Sequence, residues 1–166
     1  MKKAIFATLA ILAMSVSATD SANIAANFLK TAEGFKNHVY TCAAGKKTIG
    51  YGFTDKATVA KGYISKVAAE RKLFLECKGI QKKVRKELKG ITLTDSQEAA
   101  IISFVFNVGM HNFKTSTMCK LLKANNKALA CRELAKWVYI TSNGKKVKSK
   151  GLTNRRAKEA ALFLKV

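Results

Sequence analysis

The sequence predicts an α+β protein, mainly helical, with a small N-terminal lobe that carries a β-hairpin and a larger helical lobe after it. Three observations lead there. Apolar residues recur at helical spacing over most of the chain, and "DSQEAAIISFVFNVG" at 95–109 is apolar nearly all round, the pattern of a central buried helix. One stretch, "HVYTCAAGKKTIGYGFT" at 38–54, breaks that rhythm with β-branched and aromatic residues on both sides of a glycine-bearing turn, which reads as a hairpin. Finally, 166 residues, 48% of them hydrophobic, suffice for one sizeable core and one domain.

The elements follow in order. "MKKAIFATLAILAMSVSA", residues 1–18, runs from Lys2 and Lys3 through a largely apolar stretch from Ala4 to Met14 to small residues. That is the order of a secretory signal peptide, and it leaves 19–166 as the working domain. The run is shorter than the roughly 20 residues that span a bilayer, so a transient membrane contact before release is the other form it takes. "SANIAANFLKTAEG" from Ser21 puts Ile24, Phe28 and Leu29 on one helical face, with Gly34 as its stop and Glu33 on the last turn. After the hairpin, a long helical pattern over 58–88 is interrupted by Gly62 and Gly79. Thr94, with Asp95 and Glu98, starts the central helix. Further helices fit 115–125, 127–139 and 154–164. The lysine-rich "NGKKVKSKG" at 143–151 reads as a basic flap beside the last of them.

With 31 Lys and Arg against 10 acids, the formal net charge of +21 calls for an anionic partner. Export argues against nucleic acid and leaves anionic lipid or anionic cell-wall polymers; part of the charge is simply solvated helix surface, as in "KKVRKELK" at 82–89. Cys42, Cys77, Cys119 and Cys131 lack close-paired metal spacing, so no metal is expected. In an oxidising compartment a disulfide is expected for at least two of them, with the pairing unresolved.

The acids narrow the search for chemistry. Asp95 and Glu98 occupy first-turn positions, and Glu70, Glu76, Glu87, Glu133 and Glu159 lie among Lys or Arg on helical stretches, where ion pairs explain them. Glu33 has no such explanation. It stands at a helix C-terminus, where the dipole disfavours a carboxylate, directly before a glycine and the hairpin, which is the setting of a general acid. Across the turn "AAGKK", Cys42 and Thr48 are placed to face the same cleft. Cys42 is otherwise a half-cystine, or, with His38 four residues earlier, part of a thiol hydrolase that lacks an obvious group to orient the His.

These residues carry a resemblance. Glu, eight residues, Asp or Cys, five residues, Thr, followed by "TIGYG", is similar to the catalytic signature of the phage-type lysozymes, the endolysin family of glycoside hydrolase family 24. "LTDSQEAAIISFVFNVGMHNFKTSTMCKLL" (93–122) resembles that family's central helix and the turn after it, and "ELAKWVYITSNGKKVKSKGLTNRRAKEAALF" (133–163) its C-terminal segment. The resemblance implies a lysozyme-like fold and hydrolysis of the β-1,4 bond between N-acetylmuramic acid and N-acetylglucosamine, by a monomer without cofactor. It implies Glu33 as the general acid, Cys42 where many members have an Asp that helps water attack, and Thr48 positioning that water. Asn107, Thr115 and Ser116 match positions lining the saccharide cleft, and Arg155 matches an arginine near the catalytic acid. Many relatives carry His after "TIGYG", where this chain has Phe53.

Cys in the base position leaves three routes open. A thiol ionises ordinarily near pH 8.5, so either Lys46 and Lys47 favour its thiolate, or Glu33 carries the reaction mainly by acid assistance, or the thiolate attacks the anomeric carbon itself. A disulfide at Cys42 would also make the enzyme redox-sensitive. The competing interpretation of the whole chain is a cationic wall- or membrane-binding antimicrobial protein that keeps the fold and has little turnover.

Overall fold

In a computed structural model, residues 20–42, 45–142 and 144–165 are described. The segment expected to act as a signal, 1–18, lies outside the described residues. Helix α1 (Ser21–Glu33) leads into strands β1 (Lys36–Thr41) and β2 (Lys47–Gly50), then the short α2 (Lys56–Val59) and the long α3 (Lys66–Glu87). The central α4 (Asp95–Val108) is followed by α5 (Met110–Thr115), α6 (Thr117–Lys123), α7 (Lys127–Glu133) and a 3₁₀ turn over Leu134–Lys136. A second hairpin, β3 (Tyr139–Ser142) and β4 (Lys145–Lys148), precedes α8 (Lys150–Phe163).

Two apolar clusters define two lobes. Leu29 of α1, Ile49, Tyr51 and Phe53 of the first hairpin, and Leu73 and Cys77 of α3 form the first. Val84 and Leu88, Phe113, Met118, Leu122, Leu134 and Phe163 form the second. Two helices join the lobes: α3 gives Leu73 to one and Val84 to the other, and α4 gives Ala99 and Ile102 to one and Ile101, Phe104 and Val105 to the other. A helix that is apolar on every face is what such a shared position requires, so the expected central helix is observed.

The start of α1 is pinned by polar bonds. Asp20 caps the helix, accepting from the Ala22 amide, and also accepts from Lys78 at 3.0 Å and Gln81 at 2.7 Å. Burial alone would raise its carboxyl, but these donors outweigh burial and hold it below its ordinary value. Ser21 donates to buried Glu98 at 2.5 Å, and Arg85 clamps the same carboxylate with two bonds of 2.7 Å. Glu98, expected to serve as a first-turn acid, is thus a buried anchor. The capping box of α4 is instead closed by Gln97 with Thr94.

Other boundaries moved for physical reasons. Gly79 does not interrupt α3, because the packed face of a 22-residue helix outweighs the roughly 1 kcal/mol that one glycine costs. The helix expected over 115–125 breaks at Ser116, whose hydroxyl caps α6. The one expected over 127–139 ends by Lys136, and the basic flap proves to be half of the β3–β4 hairpin. Every residue of β3 and β4 is exposed, so these strands lack the buried–exposed alternation that announces a strand. The expected disulfides also fail for three cysteines: Cys77, Cys119 and Cys131 are buried thiols that fill the two cores as small apolar residues.

Candidate active site

The site is built where the C-terminus of α1 meets the first hairpin. Glu33 is the last residue of α1, and its side chain is 23% exposed, open to solvent on one side. On the other side its carboxylate lies over Gly52, where a Cβ would come 3.5 Å from Oε2. Gly52 also has φ +88°, so the "GYG" turn needs glycine there for its conformation.

The hairpin register places the next two residues. Tyr40 pairs with Thr48 and Thr41 with Lys47, and the Cys42 amide donates to the Lys46 carbonyl at 3.0 Å. Side chains two apart on a strand share a face, so Tyr40, Cys42 and Thr48 project from the same side of the hairpin. The Tyr40 phenol is raised, first by burial and then by the negative charges of Cys42 and Glu33, which puts both groups within electrostatic reach of one ring. Thr48 is 3% exposed and donates its hydroxyl hydrogen to the Lys46 carbonyl at 3.0 Å, leaving its oxygen to accept. His38 is exposed, bonds to the Asn37 side chain and rests on Tyr63; it stands four positions before Cys42, about 13 Å along an extended strand and too far for a thiol–imidazole pair.

Helix α8 supplies the electrostatics. Arg155 donates through Nη1 to Glu33, through Nε to Glu159 at 3.1 Å and through Nη2 to the Ser103 carbonyl at 3.4 Å. Its neighbour Arg156, 2% exposed, donates to the other oxygen of Glu159, to the Asn107 side-chain oxygen and, at 3.1 Å, to the Trp137 carbonyl. Burial lowers the Arg156 guanidinium from its ordinary value; Glu159 opposes that fall. The guanidinium also stacks on Phe104 with 4.9 Å to the ring centroid.

Beyond Arg156 opens a groove of about 800 Å³ lined by Asn107, Thr115, Ser116, Trp137, Tyr139 and Lys146, among others. Asn107, Thr115 and Ser116 therefore line one groove, while Arg155 holds Glu33 at the other end of the arginine network, near the hairpin that carries Cys42 and Thr48. Ser116 is a structural member of its group, donating to the Phe113 carbonyl at 2.6 Å and accepting from the Cys119 amide at 3.1 Å. Thr115 likewise donates to carbonyls of its own helix. Sequence reasoning missed Trp137, Tyr139, Arg156 and Glu159. The doubled arginine of "NRR" followed three residues later by Glu is the one local signal that two cations share an anion on a helix face.

A two-lobed fold with a carboxylic acid at a helix end, a hairpin after it that carries a thiol and a hydroxyl, and a long groove at the far side of an arginine network has the make-up of a lysozyme-like glycosidase. The phage lysozyme family model matches residues 30–159, and the chain belongs to that family. An endolysin of Acyrthosiphon pisum secondary endosymbiont phage 1 is 36% identical over 135 residues, 81% of this chain and 91% of that protein. A SAR-endolysin of Pseudomonas phage phiKMV is 36% identical over 129 residues, 76% of this chain and 78% of its own length. The muramidase domain of SpmX from Asticaccaulis excentricus superposes with a TM-score of 0.77 at 26% identity, covering 86% of this chain and 96% of that one.

Proposed function

We propose that this phage-type lysozyme is an exported peptidoglycan hydrolase that cleaves the β-1,4 bond between N-acetylmuramic acid and N-acetylglucosamine, with Glu33 as its general acid. The observation that carries this reading is the position of Glu33: a carboxyl at a helix end, partly open to solvent and held by Arg155. In the reaction Glu33 gives its proton to the leaving glycosidic oxygen, and the sugar passes through an oxocarbenium-like state. Cys42 and Thr48 serve the water that attacks the opposite face; the Thr48 oxygen, its own hydrogen engaged, accepts a hydrogen bond from that water. Asn107 and the Trp137–Tyr139 edge hold the glycan chain, and the lysines above it meet the anionic wall. Export rests on the residues 1–18 pattern and on the SAR-endolysin likeness, and the domain acts as a monomer.

Mass spectrometry and NMR of products released from purified peptidoglycan test the reaction. New reducing N-acetylmuramic acid ends, formed first as the α anomer, are expected for attack by water with inversion. Reducing N-acetylglucosamine ends would rule out this bond. No release at all, together with wall or vesicle adhesion that fades with salt, would favour the cationic binder.

Cys42 gives a second expected outcome. Burial raises the Cys77, Cys119 and Cys131 thiols, Cys77 to about 12, whereas Cys42 lies at a partly open hairpin end. Iodoacetamide at neutral pH under reducing conditions is expected to modify Cys42 first and to abolish turnover in proportion. Undiminished turnover with mass-confirmed carbamidomethylation of Cys42 would remove the thiol from the mechanism.

A further inference from the structure

We propose that Glu159 is a positioning residue that aims both the arginine of the acid and the arginine of the glycan groove, so that one buried carboxylate couples the two ends of the site. The inference rests on the lysozyme reading above and deepens it.

Glu159 is fully buried on α8, with no solvent to satisfy its charge. Its Oε1 accepts from the Ser103 hydroxyl at 2.7 Å and from Arg155 Nε at 3.1 Å, and its Oε2 accepts from Arg156 Nη1. The two arginines then point in different directions: Arg155 turns its Nη1 to Glu33, and Arg156 turns its Nη2 to the Asn107 oxygen in the groove. Two carboxylates and two guanidiniums thus alternate along one buried line, balanced in charge. Long arginine side chains have many rotamers, and sharing one anchored carboxylate removes that freedom before substrate arrives. Ser103, from α4, locks the carboxylate to the central helix.

The balance matters for the proton on Glu33. Among the described residues, Arg155 and, behind it, Arg156 bear on Glu33 from α8, and Tyr40 does so from the hairpin, where its ring also feels Cys42; α4 contributes Ser103, which holds Arg155. Without the charge of Glu159, Arg155 bears on Glu33 alone. An unshared cation favours the ionised carboxylate, and an ionised Glu33 has no proton to give.

Glu159→Gln, which keeps shape and removes charge, is the test, measured by steady-state kinetics on a soluble saccharide across pH beside the native chain and Glu33→Gln. The expected result is a kcat lower by about 10- to 100-fold, a raised KM, and an alkaline limb of the pH–rate profile displaced to lower pH. Glu159→Asp keeps the charge but is one methylene too short to serve both arginines; it is expected to lower kcat with the limb left near its native position. A purely structural role would lower the melting temperature of either variant and leave the limb where it is. A folded Glu159→Gln with native kcat and native limb overturns the proposal, and if that variant does not fold, a folded Glu159→Asp with native kcat does so instead. An active native chain with an indifferent Glu159 variant removes the coupling alone, whereas a native chain without turnover removes the lysozyme reading and the coupling with it.

Discussion

Glu33→Gln is expected to lower glycan cleavage by about 10³-fold or more, because it removes the proposed proton donor to the leaving oxygen. The substitution is nearly isosteric, and Gly52 leaves room against it. Arg155 loses an anionic partner but keeps Glu159 and the Ser103 carbonyl, so the fold is expected to persist. The loss is therefore chemical, and it appears in kcat with little change in glycan binding. The measurement is reducing-end formation from purified peptidoglycan, with equilibrium binding of the inactive variant to the same material. Retained turnover above about a tenth of native would show that another group donates the proton.

Arg156→Met has the largest expected effect on stability. Arg156 is the largest fully buried side chain among the described residues, and its removal leaves Glu159 with one cation where it had two, and Asn107 and the Trp137 carbonyl without this donor. Breaking a buried charge network from one side costs about 3–5 kcal/mol, which in a chain of this size lowers the melting temperature by roughly 10 °C. The contrast is Lys123→Met, which breaks a surface pair with Glu87 at 2.5 Å and is expected to leave the melting temperature nearly unchanged. Thermal unfolding followed by circular dichroism separates the two. Equal melting temperatures for the two variants would mean that the buried network contributes nothing to folding.

Helices α1 and α4, the first hairpin and the acid at its edge were legible in the residues because each is specified locally. Apolar spacing, a capping threonine and a glycine stop need no distant partner to act, and the Glu33, Cys42 and Thr48 spacing lies within one helix end and one hairpin. What escaped depended on neighbours remote in sequence. Glu98 reads as an ordinary first-turn acid until Ser21 and Arg85 close over it. Glu159 reads as one of many helical ion-pair acids until Ser103, 56 positions away, fixes it in the core. Strands β3 and β4, exposed along their length, leave no imprint of burial in their sequence, yet Tyr139 and Lys146 reach the groove. By itself, then, the sequence determined the fold class, the order of most elements and the chemical character of the acid, thiol and hydroxyl, because propensity and periodicity act over a few residues. Only the tertiary structure decided which carboxylates are buried anchors and which one stays partly open beside the hairpin, because the cost of burying a charge is set by donors that folding brings from far along the chain.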